Sequence, residues 1–349
     1  MFDIPLIDLD QDQTRQVVVD REKGQYLGHP TIVLLEDHKT ILAVYPKGHG
    51  KGAIVLKRSC DGGLTWSERL PVPKSFETSK ETPTIYRVVD PQGRKRLILF
   101  SGLYPIRMSV SEDDGLTWSE LTPIGDFGGI VAMSSVIPLN TGKGHYAAFF
   151  HDEGPFLRNS GVPTSYQVFK TMSTDGGLSW SEPVLVTEHP EAKLCEPGAL
   201  RSPDGKQIAL LLRENGRKFN SFVVFSDDET ESWTAPREVS SALTGDRHVA
   251  CYAPDGRLVV TFRDMAKDSP TRGDWVAWVG TYADIVNGTP GQYRVRLKDN
   301  LHPYDCGYPG LVLLEDGTFV AVTYGHWTAG EEPYILSVRF RLEELDVRI

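Results

Sequence analysis

The amino-acid sequence predicts an all-β fold, a single six-bladed β-propeller domain over residues 1–349. Three observations favour it. A turn sequence recurs at intervals of roughly 50 to 60 residues, pairs of apolar strand-like segments run in phase with it, and no helical periodicity of useful length interrupts them. Repetition of a short antiparallel β unit is typical of propellers, in which each unit forms one blade of a closed ring.

The recurring turn is an octapeptide that begins with serine and ends with tryptophan. Three copies are regular, and the fourth has Thr230 where the others have glycine: 59–66 (SCDGGLTW), 111–118 (SEDDGLTW), 173–180 (STDGGLSW) and 226–233 (SDDETESW). The aspartate is suited to accept backbone N–H bonds, and glycine adopts the left-handed conformation at no steric cost. Each copy predicts a hairpin between the third and fourth strands of a blade, less regular in the fourth copy. The tryptophans expected to be buried beside the outer strands are Trp66, Trp118, Trp180 and Trp233.

Six apolar segments start in phase with these turns, and each is followed by a tight turn and a second apolar segment. The first segments begin near His29, Thr82, Val131, Glu196, His248 and Tyr308. Asp-Gly between apolar runs is among the strongest hairpin signals, and it occurs at 203–205, 254–256 and 315–317. Each unit is therefore predicted to be a four-stranded antiparallel blade.

The last unit ends near Ile349 after its third strand. We expect residues 16–19 to supply the missing fourth strand, because this pairing closes the ring and covers both edge strands. The alternatives are an open array and a sandwich; an open array leaves exposed edges.

The charge balance limits the classes of partner. Lysine and arginine total 37 against 47 aspartates and glutamates, which gives a formal net charge of -10. An acidic chain disfavours nucleic acid and anionic membranes, but an arginine cluster in a cleft still attracts a small anion at short range. Residues 1–11 have neither a basic nor an apolar signal-peptide region, and no apolar run approaches the ~20 residues of a membrane span. We expect a soluble protein whose compartment stays open. The four cysteines are widely spaced, which predicts buried free thiols rather than a zinc site.

Equivalent points of the six units should converge at one mouth of the central channel. The first strands begin, and the second strands end, with titratable side chains: His29, Glu81, Glu196, Arg247, His248 and Tyr308, and Lys47, His49, His151, Asp152, Arg213, Glu214, Arg263, Asp264, Tyr324 and His326. Arg272 precedes a third strand. Such a concentration of ionisable groups at phase-equivalent positions predicts a functional site at this mouth.

At these residues the sequence resembles the sialidase (neuraminidase) superfamily, whose propellers carry the same aspartate-box turn. Segments 194–197 (LCEP) and 211–214 (LLRE) resemble those that supply a catalytic glutamate, here Glu196, and a carboxylate-binding arginine, here Arg213. Segment 271–278 (TRGDWVAW) is similar to the one that supplies a second such arginine, here Arg272, and 306–311 (CGYPGL) to the one with the nucleophilic tyrosine, here Tyr308. The resemblance implies an exo-acting glycoside hydrolase for a terminal carboxylated sugar, with no cofactor and a carbohydrate as its partner.

The first blade departs from the sialidase pattern. Gly28 stands where sialidases have a third clamp arginine, and the loop 47–52 (KGHGKG) holds no acid where they have an acid/base aspartate. His49 and then His29 are the nearest proton carriers and are predicted to act in catalysis. Arg247 or Arg263 is predicted to replace the missing positive charge. Glu81 and Tyr324 complete the predicted substrate-binding set.

Two other functions stay open at this point. One is a histidine-dependent propeller hydrolase or lyase for glycans that contain uronic acid, since His29 and His49 suit a base and an acid. The other is a carbohydrate-binding propeller without turnover. No metal is predicted, because His29, His49, His151 and His326 show no paired ligand spacing.

Overall fold

Six β-sheets are arranged in a ring in the computed structural model, which describes residues 4–157 and 166–349. Strands are given from the channel outward. Blade 1 contains Thr31–Leu34, Ile41–Pro46 and Ile54–Ser59; blade 2 contains Thr84–Val89, Lys95–Ser101, Arg107–Ser111 and Thr122–Pro123; blade 3 contains Ile130–Pro138, Tyr146–Asp152, Gln167–Ser173 and Val184–Glu188. Blade 4 contains Leu194–Arg201, Ile208–Glu214, Phe222–Ser226 and Arg237–Glu238; blade 5 contains Gly245–Tyr252, Leu258–Asp264, Trp275–Gly280 and Tyr293–Lys298; blade 6 contains Gly310–Leu313, Phe319–Gly325, Tyr334–Phe340 and Gln16–Asp20. The predicted six-bladed propeller is confirmed.

The N-terminal segment closes the ring, as predicted, and it reaches further than expected. Gln16–Asp20 pairs antiparallel with Tyr334–Phe340 as the outer strand of blade 6. Before that, Leu6–Asp8 pairs in parallel with Tyr293–Lys298 and adds a fifth strand to blade 5. The segment thus joins two blades and covers both of their outer edges.

Blade 1 differs from the predicted four strands. Its outer position is taken by an irregular segment rather than a strand: the backbone N–H groups of Ser67 and Leu70 donate to the carbonyls of Arg58 and Leu56, each at 2.8 Å. Short helices occupy the remaining connections: Gln13–Arg15, Lys74–Thr78 and Ser241–Leu243 are 3-10 helices, and Tyr282–Asn287 and Leu342–Asp346 are α-helices. None of the helices in the described ranges is long and apolar enough to cross a membrane. All four cysteines are free, and Cys60 is exposed, contrary to the prediction of burial.

Apolar side chains fill the spaces between neighbouring blades. Each of the six interfaces has its own buried cluster, including the one between blades 6 and 1 that completes the ring. The second strands contribute to both neighbours, since alternate side chains of a strand point to opposite faces of the sheet. The propeller is therefore held together by six apolar layers.

The four recurring turns share one hydrogen-bonding pattern. In the first, Asp61 Oδ1 accepts from the backbone N–H groups of Leu64 and Thr65, and Ser59 Oγ accepts from that of Gly63. The irregular copy keeps this pattern: Thr230 adopts a φ of 80° in the glycine position, and its N–H donates to Ser226 Oγ at 2.9 Å. The turn is therefore more regular than its sequence predicts.

The tryptophans of these turns are buried to different degrees. Trp180 is 8% exposed, packs edge-on against Phe100 and donates its Nε1–H to the Gly177 carbonyl. Trp66, Trp118 and Trp233 are only partly buried, although their indole nitrogens are shielded from solvent. The prediction that these tryptophans are largely buried is thus met most fully by Trp180, and the other three are covered in part.

We expect Trp180→Ala to lower the free energy of unfolding by roughly 3–5 kcal/mol, the range for a large core truncation. Trp66→Ala, at the equivalent but half-covered position, should cost less than half as much, because less apolar area returns to water. Urea denaturation of both variants measures the difference. Equal losses would mean that burial does not set the contribution of these turns.

Candidate functional site

A pocket opens at the channel mouth where first strands begin and second strands end. Its volume is about 340 Å³, and blades 1, 2, 3, 4 and 6 all contribute to its wall. The residues that line it and enter the argument below are His29, His49, Lys51, Lys80, Glu81, His151, Glu196, Arg213, Asn215 and Tyr308. The predicted convergence of these strand ends is therefore observed.

Backbone distortions at the start of the inner strands direct side chains into this mouth. The ladder registers of blades 3, 4 and 5 shift after Ile130, Cys195 and Asp246. The residues next to these shifts are left-handed: Val131, Glu196 and Arg247 have φ values of 49°, 51° and 57°, and His29 in blade 1 has 54°. Such conformations are unfavourable for residues other than glycine and persist only where the surroundings hold them.

The surroundings of these bulges are polar and buried. His151 Nδ1 accepts the Glu196 backbone N–H at 3.4 Å, and Glu81 accepts the N–H groups of Thr82 and Val131 at 2.9 and 3.0 Å. Burial lowers the pKa of His151 to about 4 and raises the pKa of Glu81. His151 is therefore neutral at pH 7 with its proton on Nε2. Glu81, predicted to bind substrate, lines the pocket, but both of its carboxylate oxygens accept backbone N–H groups.

Tyr308, Glu196 and Arg213 meet at the floor of the pocket. The Tyr308 hydroxyl donates to Glu196 Oε1 through a very short hydrogen bond, and Arg213 Nη1 donates to the same oxygen at 2.6 Å and to the Tyr308 oxygen at 2.9 Å. Burial first, and then the Glu196 charge, raise the pKa of Tyr308 well above its usual value. Glu196 Oε2 is buried and has no hydrogen-bond partner among residues 4–157 and 166–349. The predicted proximity of the three side chains is confirmed, and one acceptor atom is left for a bound molecule.

A buried aspartate beneath this group binds three arginines. Asp246 lies 3.1 Å from Arg213 Nε, 2.6 Å from Arg217 Nη1 and 2.5 Å from Arg263 Nη2. Burial alone would raise the pKa of Asp246, but the positive charges of the three arginines outweigh it and hold the pKa far below the usual value. Asp246 is therefore ionised, and it fixes the direction from which Arg213 reaches Tyr308 and Glu196.

A second carboxylate stands behind His49 at the pocket rim. Asp305 Oδ1 accepts from the Tyr26 hydroxyl at 2.8 Å and lies 3.3 Å from His49 Nδ1, which is 2.7 Å from the Tyr26 oxygen. Burial opposes ionisation of Asp305, but hydrogen bonds from His49, His326 and Tyr26 lower its pKa far below the usual value. Because Tyr26 donates to Asp305, His49 carries its proton on Nδ1 and presents Nε2 to the pocket. Its side chain is 65% exposed.

His29 lies between His49 and Tyr308. Its ring is edge-on to both, with centre-to-centre distances of 4.7 Å and 4.4 Å. His29 Nδ1 accepts the Gly50 backbone N–H at 3.1 Å, which leaves the proton on Nε2, 3.3 Å from the Tyr324 hydroxyl. Burial first, and the nearby His49, lower the pKa of His29 well below its usual value. His29 is thus a neutral side chain that holds the glycine-rich loop of blade 1 against the pocket.

Four predicted substrate-binding residues lie elsewhere. Tyr324 is fully buried behind His29, where its hydroxyl donates to Asp305. Arg263 is buried on Asp246, and Arg247 spans the channel below the pocket to the Ser134 carbonyl. Arg272 is exposed, and it lines a separate cleft between blades 4 and 5. None of these four side chains lines the pocket, contrary to the prediction. Internal hydrogen bonds hold Tyr324, Arg263 and Arg247 away from it, and Arg272 lies on a loop over the neighbouring cleft.

Other functional candidates were not predicted from the sequence. Asp246 and Asp305 precede the strand-start residues Arg247 and Tyr308 by one and three positions, and a search one turn before each strand would have found them. Lys51 and Lys80 are exposed at the pocket rim. Among the described residues, neither lysine has a carboxylate within 4.0 Å.

One group of side chains in the described ranges has metal-ligand composition. Potential ligand atoms of His302, Asp305 and His326 lie within 4.8 Å of one another. The two imidazole rings stack with their planes 24° apart, so their nitrogen lone pairs run side by side rather than toward one point. His326 Nε2 is hydrogen-bonded to Asp305 at 2.8 Å. This group fits a hydrogen-bonded support for Asp305 better than a metal centre.

The chain was compared with known proteins. No protein-family model matches it, and no curated protein matches its sequence. Solved structures do match. A protein of unknown function from Dyadobacter fermentans DSM 18053 has a TM-score of 0.73 at 15% identity, over 93% of this chain and 97% of that one.

Two of the similar structures are glycoside hydrolases. The GH93 α-L-arabinofuranosidase of Fusarium graminearum, solved with arabinobiose, has a TM-score of 0.69 at 16% identity, over 95% of this chain and 98% of that one. The NanB sialidase from Streptococcus pneumoniae has a TM-score of 0.65 at 12% identity, over 95% of this chain and 71% of that one. At such low identities the likeness shows a shared fold.

Asp246→Asn should lower the free energy of unfolding by roughly 3–5 kcal/mol at pH 7, because it leaves buried arginines without their counter-charge. The folded-state pKa of Asp246 is depressed, so its contribution is present above the unfolded-state pKa near 3.8 and fades as the pH falls below it. The gap between wild type and variant should therefore shrink from pH 7 to pH 3. Urea denaturation across this range measures the gap, with the exposed Asp268→Asn as control. A gap that is constant with pH would contradict the assignment.

Proposed function

We propose that this protein is an exo-acting glycoside hydrolase for a terminal acidic sugar, with Tyr308 as nucleophile and Glu196 as its base. The observation that carries the proposal is the buried Tyr308–Glu196 hydrogen bond, braced by Arg213, at the floor of an open pocket. The similar folds of an arabinofuranosidase and a sialidase support hydrolysis of a glycosidic bond.

A neutral phenol suits an anionic sugar. A carboxylate nucleophile would approach a carboxylated anomeric carbon against its charge, whereas the raised pKa keeps Tyr308 uncharged until Glu196 takes its proton. The Tyr308 oxygen then forms a bond to the anomeric carbon as the glycosidic C–O bond breaks. Arg213 Nη1 donates to the Tyr308 oxygen and stabilises the charge that develops on it.

His49 is the proton donor in this mechanism. Its Nδ1 is held by Tyr26 and Asp305, which fixes the tautomer and leaves Nε2 facing the pocket. In the first step Nε2–H of the protonated ring gives its proton to the departing sugar oxygen. In the second step neutral His49 takes a proton from water, whose oxygen attacks the anomeric carbon. Tyr308 leaves and regains its proton from Glu196, which completes the hydrolysis.

The substrate carboxylate must be bound differently from an arginine clamp. Arg213 Nη1 is shared by Glu196 and Tyr308, its Nη2 donates to Asn215 and its Nε faces Asp246, so this guanidinium is already engaged. Lys51 and Lys80 at the rim supply positive charge without an ion-pair partner in the described residues. Lysine ammonium groups attract a negative charge but do not bind a carboxylate in the bidentate, planar way of arginine. This favours an acidic sugar that differs from those bound by a three-arginine clamp.

A second candidate is a lyase for uronic-acid-containing glycans. The Nε2 of neutral His49, which faces the pocket with a free lone pair, favours it, because elimination needs a base to remove a sugar C–H proton and an acid for the leaving oxygen. In this reaction His49 is the base and the Tyr308 hydroxyl is the acid. The two reactions differ in their products: hydrolysis adds the mass of water and elimination gives an unsaturated sugar.

A panel of sialosides, other 2-keto-3-deoxy sugars and uronate-capped oligosaccharides, with products measured by mass spectrometry, tests the proposal. We expect release of a terminal acidic sugar with a mass gain of water. Tyr308→Phe should lower turnover by roughly 100-fold or more with a nearly unchanged melting temperature, because it removes only a hydroxyl. Full activity of this variant on the oligosaccharide that the wild type cleaves would exclude Tyr308 as the nucleophile. An unsaturated product would favour the lyase instead.

His49→Ala should lower turnover of the natural linkage by roughly 100-fold, since the leaving sugar oxygen then departs without a proton. A 4-nitrophenyl glycoside of the same sugar needs no such proton, so on this substrate the first step should be nearly as fast as in wild type. Burst kinetics on the aryl glycoside measure that step. Equal losses on both substrates would mean that His49 binds or positions rather than donates. His38→Ala, on the opposite side of blade 1 and exposed, is the matched control.

A further inference from the structure

A second cleft opens between blades 4 and 5, beside the catalytic pocket. Its volume is about 280 Å³. Phe219 and Met265 give it an apolar surface, and Lys218, Lys267 and Arg272 give it positive charge. The mechanism above uses none of these five side chains.

The positive charges of this cleft are not neutralised from within the protein. Lys218, Lys267 and Arg272 have no carboxylate within 4.0 Å in the part of the chain that the structure describes. The two carboxylates of the cleft are directed at the backbone: Glu214 accepts from the N–H groups of Lys193, Gly216 and Lys218, and Glu238 from that of Asn220. In a chain with a net charge of -10, three unpaired cations in one concavity favour an anionic ligand.

The wall of the cleft is preorganised. Glu214 is 2% exposed, and its bonds to the backbone fix the loop 215–220. Arg217 in this loop is left-handed, with a φ of 58°, and binds Asp246 through both terminal nitrogens at 2.6 and 2.8 Å. Binding of a ligand would therefore not require the loss of conformational entropy that ordering this loop would cost.

The cleft and the catalytic pocket share this wall. Glu214 lines the cleft, whereas its neighbours Arg213 and Asn215 line the pocket. Arg213 and Arg217 contact the same oxygen of Asp246, one from each side. Both cavities are built at the end of the second strand of blade 4, on either side of this wall.

We propose that this cleft is a second anion-binding site, which takes a carboxylate or sulfate on an inner sugar of an acidic oligosaccharide whose end lies at Tyr308. This inference rests on the proposed function. Arg272 and Lys267 would form charge-assisted hydrogen bonds to the oxyanion, and the apolar faces of Phe219 and Met265 would contact the sugar ring. The substrate is accordingly an acidic polymer rather than a single acidic cap on a neutral glycan.

The test is binding affinity by titration calorimetry, made in the Tyr308→Phe background so that turnover does not interfere. The probes are galacturonate, alginate and chondroitin sulfate oligosaccharides of two and four sugars, the carboxyl-reduced galacturonate tetramer, and an oligoglutamate of equal charge. We expect at least one acidic tetramer to bind roughly tenfold or more tightly than its dimer. Adding Lys267→Ala and Arg272→Ala should abolish this preference. If the uronate tetramers show the larger gain in affinity over their dimers, the bound oxyanion is a carboxylate. If the sulfated tetramer shows it, the oxyanion is a sulfate.

Lys206→Ala is the matched control, because this exposed lysine lies in the hairpin at the opposite end of blade 4. It should leave the preference for tetramers unchanged. Three results would each overturn the proposal. The double variant and its parent bind every tetramer with equal affinity, none of the acidic probes binds, or oligoglutamate binds more tightly than any saccharide. A missing hydrolysis product with the length preference intact would instead refute the proposed reaction and leave the second site standing.

Discussion

The buried carboxylate of Asp246 is the interaction on which the site depends. It gathers arginines from the second strand of blade 4, the loop that follows it and the second strand of blade 5. Through Arg213 it sets the position of the Tyr308–Glu196 pair, and through Arg263 it places a guanidinium 5.9 Å from the centre of the Tyr308 ring. The positive charges of the largely buried Arg213 and Arg263 are costly without such a partner, so the carboxylate must be ionised for the rest to pack.

This arrangement changes what the arginines can do. In a carboxylate clamp, guanidinium groups face the substrate with free N–H donors. Here the donors of Arg213 and Arg263 are directed at Asp246, Glu196 and backbone carbonyls, so they hold Glu196 and the segment of Tyr308 in place instead. Under the proposed function, the charge that meets an acidic substrate comes from side chains without internal partners. Those lie at the rim, in Lys51 and Lys80, and in the neighbouring cleft, in Lys267 and Arg272.

The sequence was sufficient for the architecture and for the central trio of residues. Turn chemistry and hydrophobic phase are local signals, and they predict six blades, ring closure by residues 16–19 and the convergence of the strand ends. The resemblance to sialidases then singled out Tyr308, Glu196 and Arg213 among those strand-end residues. The directions of individual side chains were not predictable in the same way. Arg213, Arg263 and Tyr324 stand at equivalent ladder positions, so strand phase does not separate them. Arg263 is held away from the pocket by Asp246 and the Cys306 carbonyl, and Tyr324 by its hydrogen bond to Asp305. Arg247, beside the register shift of blade 5, reaches the Ser134 carbonyl across the channel. Arg272 matches a family segment, but the position of its loop over blade 5 depends on contacts far away in sequence.

Solvent access distinguishes the histidines of the pocket. His29 and His151 are buried, and burial lowers both pKa values, so each is neutral at pH 7 and accepts a backbone N–H through Nδ1. A proton donor for a leaving sugar must be able to carry an extra proton and exchange it with water between steps. Of the three histidines that line the pocket, His49 alone is exposed, and the Asp305 carboxylate lies 3.3 Å from its Nδ1. The loop of blade 1 holds no acid of its own, so the blade 6 segment that carries Tyr308 supplies it three residues earlier. In the proposed mechanism, the nucleophile and the residue that orients the proton donor are thereby fixed on one short stretch of chain.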